Sequence, residues 1–206
     1  MRVAIVGGTG SFGRALAARL HAAGEDVLVG SRDRARGLEA AAELGLTGGT
    51  NEEIVAGADL VVLAVKADAA VETALELAPA LGSTPLLCVA SELRFAKDGV
   101  RPGASPRSVA ERVDEIVGGH VAAGLHSIAA QNLGEDDPPD EDALVCGDDE
   151  EAKRLALEVA GKVVRGQALD AGPLATARVL EGLTAVIVNV NRRYGAHAGL
   201  RVTGLP

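Results

Sequence analysis

The beginning of the chain carries the feature that most restricts its fold, a short apolar run followed at once by closely spaced glycines. The run from Val3 to Val6 is typical of a buried parallel strand. Gly8, Gly10 and Gly13 then form the pattern G-x-G-x-x-G, and apolar residues at helical spacing follow. The alternative is a plain glycine-rich turn, because the chain contains 26 glycines and chance matches occur. The position between a strand and a helix favours a dinucleotide-binding site.

In such a site each glycine has its own mechanical task. We expect Gly8 to allow the tight turn, Gly10 to let the backbone approach a pyrophosphate, and Gly13 to let the helix pack close to the strand. The free N–H groups at the helix start would face the anion, and the helix dipole would add to the attraction.

The remaining sequence alternates apolar runs with helical patterns, which is typical of a doubly wound α/β fold. Strands are predicted at residues 3–6, 26–30, 46–47, 59–65, 84–89, 120–124 and 144–146, with a last one inside 162–170. We therefore predict a Rossmann-like, doubly wound, mainly parallel sheet in a single domain over residues 1–206. Residues 172–206 would form a short C-terminal helical extension.

The composition argues against several classes of function. A formal net charge of −9 disfavours a general nucleic-acid or anionic-membrane surface, and no uncharged apolar run is long enough to cross a bilayer. Cys88 and Cys146 lie far apart and belong to no metal motif, so we expect buried, reduced thiols. The expectation is a cytoplasmic protein that binds small molecules, with no metal site.

The end of the second predicted strand distinguishes between the two nicotinamide cofactors. NAD-binding proteins usually place Asp or Glu there to bind the ribose 2′-hydroxyl. This chain has Ser31 and Arg32, with Arg36 just beyond, and a hydroxyl with guanidinium groups suits a 2′-phosphate. The alternatives are a solvated basic helix start and, because of Asp33, binding of NAD. We expect NADP.

Ligands of doubly wound sheets bind beyond the carboxyl ends of the strands. This rule places Val65, Lys66 and Val89 over the cofactor, because each follows a central strand. His126 follows the sixth predicted strand and is therefore also expected near the site. For this histidine a positioning role is favoured over acid–base catalysis.

Residues 91–106 are predicted to form a long loop rich in glycine and proline. This segment and its end carry four basic residues, Arg94, Lys97, Arg101 and Arg107. In a chain of net negative charge such a run indicates an anionic ligand, and a solvated surface loop is the alternative.

The last predicted helix, over residues 174–193, has a wide apolar stripe at helical spacing. The stripe consists of Val179, Leu183, Val186, Ile187 and Val190. This helix is expected either to close the core or to contact a partner subunit.

The segment Leu169-Asp170-Ala171-Gly172-Pro173-Leu174 closely resembles a segment of the NADPH-dependent F420 reductases. The resemblance covers nearly the whole chain and includes VAIVGGTGSFG at 3–13, GSR at 30–32, HSI at 126–128, CGDDEEAK at 146–153 and VNVNRRYG at 188–195. It implies hydride transfer between NADP and the 5-deazaflavin coenzyme F420, a Rossmann core, and a C-terminal part at 172–206 that helps to cover the deazaflavin.

The resemblance also implies roles for individual residues. The pyrophosphate would be held by Thr9, Gly10, Ser11 and Phe12, and the 2′-phosphate by Ser31, Arg32 and Arg36. The segment beside the nicotinamide and the deazaflavin would be His126, Ser127 and Ile128, which match the family's H-T-I. Both reacting groups belong to the cofactors, so the protein would supply alignment and exclusion of water, and no catalytic residue is expected.

The chain departs from the family pattern in two segments. Lys66-Ala67 stand where members have Pro and often an aromatic residue, and Val89-Ala90-Ser91 stand where members often have V-P-L. Both segments lie where the second cofactor should bind. Two alternatives therefore stay open: an NADP-dependent reductase that uses a flavin or another acceptor, and a non-catalytic dinucleotide-sensing module. In each case we expect a homo-oligomer, most simply a dimer.

Overall fold

The structure, a computed structural model that describes residues 1–205, is built around an eight-stranded sheet. The strands in chain order are β1 (Arg2–Val6), β2 (Asp26–Ser31), β3 (Thr47–Thr50), β4 (Leu60–Leu63), β5 (Leu86–Cys88), β6 (Leu93–Ala96), β7 (Gly99–Pro102), β8 (Val121–Gly124), β9 (Ala143–Gly147) and β10 (Ala168–Asp170). Strands β6 and β7 form a separate two-stranded sheet.

Helices connect most of the strands of the large sheet. They are α1 (Ser11–Ala22), α2 (Arg34–Glu43), α3 (Asn51–Val55), α4 (Ala67–Leu81), α5 (Val109–Val117), α6 (Ala130–Leu133), α7 (Glu150–Val163) and α8 (Ala177–Tyr194), with a 3₁₀ turn at Leu174–Thr176 before α8. Among residues 1–205 none of the helices has the length and apolar character that a membrane crossing requires.

The order of the large sheet is β10-β9-β8-β5-β4-β1-β2-β3. Neighbouring strands are parallel except for β8 and β9, which are antiparallel. This arrangement confirms the predicted Rossmann-like, doubly wound, mainly parallel sheet. From β1 the chain first builds outward through β2 and β3, and then crosses back to build through β4, β5 and β8. The reversal between β1 and β4 is the place where ligands bind in such folds.

The two faces of the sheet are both buried, as the continuous apolar run in β1 requires. Val3 and Ile5 point into one core, which α1, α2 and α7 cover, whereas Ala4 and Val6 point into the other. The second core lies under α3, α4 and α5. Because successive side chains of a strand point to opposite faces, a run of four apolar residues serves both cores.

The prediction of a long loop at residues 91–106 is wrong in part. Residues Leu93–Ala96 and Gly99–Pro102 pair as an antiparallel hairpin, with Phe95 opposite Val100. The side chain of Asn189 on α8 bonds both backbone groups of Val100, since its Oδ1 accepts from Val100 N and its Nδ2 donates to Val100 O, each at 2.7 Å. The hairpin is thus held to α8 by a tertiary contact that its own sequence does not reveal.

The apolar stripe on α8 does not face the core. The buried side of this helix consists of Ala177, Leu180, Glu181 and Ala185. Val179, Val186 and Val190 lie on the opposite side, with 69%, 55% and 37% of their surface exposed. The first of the two expectations for this stripe, closure of the core, is therefore wrong for its most exposed members.

Candidate cofactor-binding cleft

The glycine-rich turn after β1 lies at the carboxyl edge of the sheet. Its positive φ angle belongs to Gly7, at +80°, and Gly10 N donates to Gly7 O at 3.0 Å. The tight turn is therefore made by Gly7, and the expectation that Gly8 makes it is wrong. Gly8 instead packs against β2, where its N–H donates to Gly30 O at 3.0 Å and a Cβ would lie 2.8 Å from Val29.

The predicted close packing at Gly13 is confirmed, and the role of Gly10 beside a pyrophosphate stays a prediction. A Cβ on Gly13 would lie 2.7 Å from Gly7 O, so only glycine lets α1 pack this close to the turn. Gly10 is exposed, and a Cβ there would meet only Gly7 O at 3.4 Å. The first bond of α1 runs from Arg14 N to Gly10 O, which leaves the earlier amides of the helix free for an anion.

The end of β2 presents a hydroxyl and two guanidinium groups. Ser31 is buried, and Arg32 and Arg36 are exposed and form no ion pair within residues 1–205. Asp33 is the N-cap of α2, because its carboxylate accepts from Arg36 N at 3.2 Å. The carboxylate of Asp33, which could have bound the ribose 2′-hydroxyl of NAD, therefore already accepts a backbone hydrogen bond.

Sequence reasoning missed Asn51, a buried side chain under the glycine turn. Its Oδ1 accepts from Gly7 N at 3.4 Å, and a Cβ on Gly30 would lie 2.7 Å from the same oxygen. Asn51 is the first residue of α3 and lies between Thr50 and Glu53, which form the capping box of this helix. The only available signal was its place after a strand, which did not distinguish it from an ordinary helix start.

A cavity of about 700 Å³ joins the glycine turn to the end of β2. It is lined by Thr9, Gly10, Ser31, Arg32 and Arg36, together with Asn51, Val65, Lys66 and the first turns of α4. The structure therefore brings two of the four residues predicted for the pyrophosphate, Thr9 and Gly10, into one cavity with the three predicted for the 2′-phosphate. Of the other two, Phe12 lines the smaller cavity described next, and Ser11 lines neither cavity.

A smaller cavity of about 200 Å³ continues from Val65 and Lys66 along the carboxyl edge of the sheet. Its lining combines most of the remaining predicted residues with the C-terminal helix: Phe12, Val65, Lys66, Val89, His126, Ile128 and Thr184. Ser127 is buried next to them but does not line the cavity. Val65 and Lys66 belong to both cavities and connect them.

His126 is 7% exposed, and neither ring nitrogen forms a hydrogen bond within residues 1–205. Burial lowers the pKa of His126 to about 4, and the backbone of Ala90, which lies beside the ring, acts in the opposite direction. The ring is therefore neutral at neutral pH, with one nitrogen able to donate and the other able to accept. Buried polar groups are normally satisfied, so a ring nitrogen that the backbone of Ala90 does not serve can bond a ligand in the small cavity.

The backbone before His126 is unusual. Leu125 is the one non-glycine residue within 1–205 with a positive φ angle, at +62°, and its side chain is buried. A left-handed conformation costs a residue with a Cβ roughly 1–2 kcal/mol. Such conformations persist where the surrounding structure fixes them, and they concentrate at functional sites.

A third depression of about 770 Å³ lies between α4 and the β6–β7 hairpin and again includes Lys66. The basic residues predicted to attract an anion here are largely engaged. Arg101 pairs with Asp98, Arg107 pairs with Glu115, and Arg94 Nε donates to Pro102 O at 3.2 Å. Lys66, Lys97 and Arg94 form no ion pair among residues 1–205, so their positive charges are not neutralised by a carboxylate.

The region described contains no group of three or more His, Cys, Asp or Glu side chains arranged to hold a metal ion. Cys88 and Cys146 are both buried and unpaired, and burial raises the pKa of each thiol to about 12.

Comparison with known proteins agrees with this geometry. Residues 2–89 match the family described as NADP oxidoreductase, coenzyme F420-dependent. The chain is 33% identical over 227 residues to the F420-dependent NADP reductase of Methanothermobacter thermautotrophicus, covering 100% of this chain and 96% of that protein. It is 30% identical to the protein of the same name from Methanocaldococcus jannaschii, covering 100% and 99% of the two chains.

A solved structure shares the whole architecture. The crystal structure of a protein from Arthrobacter sp. FB24, provisionally named an F420-dependent NADP reductase, superimposes with a TM-score of 0.84 at 25% identity. The match covers 99% of this chain and 100% of that one. With full-length relatives at this level of identity, the chain belongs to the family of F420-dependent NADP reductases.

Proposed function

We propose that this protein transfers a hydride between NADP(H) and the 5-deazaflavin coenzyme F420. The observation that supports this best is the continuity of the cleft. Val65 and Lys66 line both the nucleotide cavity and the small cavity beside His126, and Lys66 also lines the third depression. Two ring systems that exchange a hydride must lie in one continuous site, with the reacting carbons ~3–3.5 Å apart.

The residues of the first cavity fit NADP. The free amides at the start of α1 suit the pyrophosphate, and the exposed Gly10 leaves room for it. We assign the 2′-phosphate to Ser31, Arg32 and Arg36, because the two guanidinium groups have no internal ion-pair partner in residues 1–205. Engagement of Asp33 as a helix cap supports NADP over NAD.

The residues of the second cavity suit a planar, polar ring system. Apolar contact comes from Val65, Val89 and Ile128, and hydrogen bonding comes from the neutral ring of His126. We assign His126 the task of orienting a bound ring. With a pKa of about 4 its ring is neutral at neutral pH, so it has no acidic proton to donate to a substrate. The cofactors supply the hydride chemistry, and these side chains align them and exclude water.

A second candidate acceptor is a flavin. The observation that favours it is the pair of departures from the family pattern, because Lys66-Ala67 and Val89-Ala90-Ser91 line the cavity assigned to the second ring. A non-catalytic nucleotide sensor is the third reading, and the exposed stripe of α8 would then contact its target.

Mixing the purified protein with NADPH and either F420 or FMN separates the three. Loss of the F420 absorbance alone supports the proposal, turnover of FMN alone supports the flavin reductase, and tight NADPH binding without turnover of either supports the sensor.

We further propose a cytoplasmic homodimer whose subunits meet through α8. Val179, Val186, Val190 and Tyr194 project from one side of this helix, and Tyr194 is 73% exposed. A straight apolar stripe can pack against its own copy across a two-fold axis. Two buried free thiols suit a reducing compartment.

A further inference from the structure

Glu181 is a charged residue on the buried side of α8, with 1% of its surface exposed. Its two carboxylate oxygens accept backbone amides from different parts of the chain. Oε1 accepts from Val109 N at 2.6 Å, and Oε2 accepts from Glu92 N at 3.4 Å. Burial raises the pKa of Glu181, and these amides, with Arg178 and Arg112, oppose that shift.

The contact with Val109 does not by itself explain why a carboxylate is buried here. Val109 is the first residue of α5, whose early amides have no partner inside the helix. Ser108 and Glu111 already form a complete capping box at this end. Burying a charged group is costly, so the second contact of Glu181, with Glu92, calls for its own explanation.

Both the backbone and the side chain of Glu92 form hydrogen bonds with other parts of the chain. Its N–H donates to Glu181, its carbonyl oxygen accepts from Gly103 N at 2.6 Å, and its Oε1 accepts from Ala104 N at 3.2 Å. Arg112 completes the set with an ion pair of 2.7 Å to Glu92 Oε2. Glu92, directly before the β6–β7 hairpin, is therefore tied to α5 by Arg112 and to α8 by Glu181.

The residue before Glu92 forms part of the candidate site. Ser91 lines both the small cavity beside His126 and the third depression, between α4 and the β6–β7 hairpin. Its Oγ lies 3.0 Å from Thr184 Oγ1. Because Glu181 accepts the amide that joins Ser91 to Glu92, it ties the backbone of this cavity wall to α8, beside the side-chain contact of Ser91 with Thr184.

We propose that Glu181 is a positioning residue for the second cofactor: it holds the Ser91–Glu92 peptide and so sets the affinity for the deazaflavin without touching it. The inference rests on the proposed function for the identity of the ligand. The competing explanation is that Glu181 only stabilises the start of α5.

Glu181→Gln and Glu111→Gln form a matched pair that separates the two explanations. Each replaces a carboxylate that accepts an amide at the start of α5, since Glu111 Oε2 accepts from Ser108 N at 2.7 Å. Only Glu181 also reaches Glu92. We expect Glu181→Gln to raise the KM for F420 about tenfold, with the KM for NADPH and kcat at saturation within about twofold. We expect Glu111→Gln to lower Tm and to leave both KM values unchanged.

Equal changes in the KM for F420 and for NADPH, or the same rise in the KM for F420 in Glu111→Gln, would overturn the proposal. Glu181→Asp keeps the charge and serves if the glutamine variant does not fold. In that variant, faster hydrogen exchange of residues 89–93 with unchanged exchange in α5 supports a positioning role, and the reverse contradicts it. Exchange needs no F420, so it decides the role of Glu181 even if the wild-type protein fails to reduce F420 and the proposed function falls.

Discussion

Thr184 Oγ donates a hydrogen bond to the carbonyl oxygen of His126 at 2.8 Å, which links α8 to the turn at the end of β8. The same hydroxyl lies 3.0 Å from Ser91 Oγ. One side chain of the C-terminal helix therefore holds two walls of the small cavity at once. Together with the left-handed Leu125, this contact fixes the peptide that presents the buried ring of His126.

The first prediction concerns the choice of nicotinamide cofactor. Replacing Arg32 by Ala removes a guanidinium group that has no internal partner in residues 1–205, so it should weaken NADPH binding roughly ten- to hundredfold. NADH, which lacks the 2′-phosphate, should bind almost as before. Titration of both cofactors by fluorescence checks this. Arg34→Ala is the control, because Arg34 already pairs with Glu53 at 3.1 Å. Equal losses for NADPH and NADH would contradict the assignment.

The second prediction follows from the pKa of His126. Burial lowers it from 6.5 to about 4, so between these values the unfolded chain binds a proton that the folded chain does not. The contribution of His126 to the free energy of unfolding is therefore complete above pH 6.5 and is lost as the pH falls toward 4. Relative to His126→Asn, the wild-type protein should lose about 2–3 kcal/mol between about pH 7 and 4.5. If the difference in the free energy of unfolding between the wild-type protein and His126→Asn stays constant over this pH range, the lowered pKa is contradicted.

The same variant tests the functional role of His126. If the neutral ring only orients a bound cofactor, His126→Asn should keep a measurable fraction of turnover, because the amide can still donate and accept. Its pH–rate profile should keep the shape of the wild-type profile. Loss of one titrating limb together with nearly all activity would identify His126 as an acid–base group.

The third prediction concerns the free charge at Lys66. F420 carries a phosphate and a glutamate tail, both negatively charged. Lys66 lines the nucleotide cavity, the small cavity and the third depression, and it has no ion-pair partner among residues 1–205. Lys66→Ala should raise the KM for F420 and reduce its dependence on ionic strength, because exposed charges act mainly through screened attraction. A deazaflavin without phosphate or glutamates should be affected much less. Arg101→Ala is the control, since Asp98 already neutralises Arg101. Equal effects of the two variants would remove Lys66 from the tail site.

The fourth prediction concerns assembly. Val186 is 55% exposed at the middle of the α8 stripe, so Val186→Glu would place charges against each other across the proposed two-fold axis. The variant should sediment as a monomer at concentrations at which the wild-type protein is a dimer. Leu75→Glu on α4 is the control, because Leu75 is equally exposed, at 59%, and lies outside the stripe. A wild-type monomer, or an unchanged dimer in Val186→Glu, contradicts the proposed interface.

Local signals in the sequence were enough for the parallel sheet and the nucleotide half of the site. The strand before Gly7, the motif through Gly13 and the basic residues after Ser31 lie within a few residues of the groups that they position. Asn51 and Glu181 were missed because their partners, Gly7 and Glu92, are distant in the chain. The hairpin at 93–102 did have a local signal, Asp98-Gly99 at its turn, which was passed over in favour of a loop. The outward stripe of α8 was not predictable, since it depends on which face of the helix the core covers.

The most direct test of the account is the path of the hydride itself. NADPH deuterated at both C4 positions is mixed with F420 and the protein, and the reduced deazaflavin is analysed by mass spectrometry. Since the hydride passes directly from C4 of NADPH to a ring carbon of the deazaflavin and does not exchange with solvent, one deuterium should appear in the reduced F420 at every turnover. No reduction of F420, or a reduced product without the label, would contradict direct transfer between the two rings in this cleft.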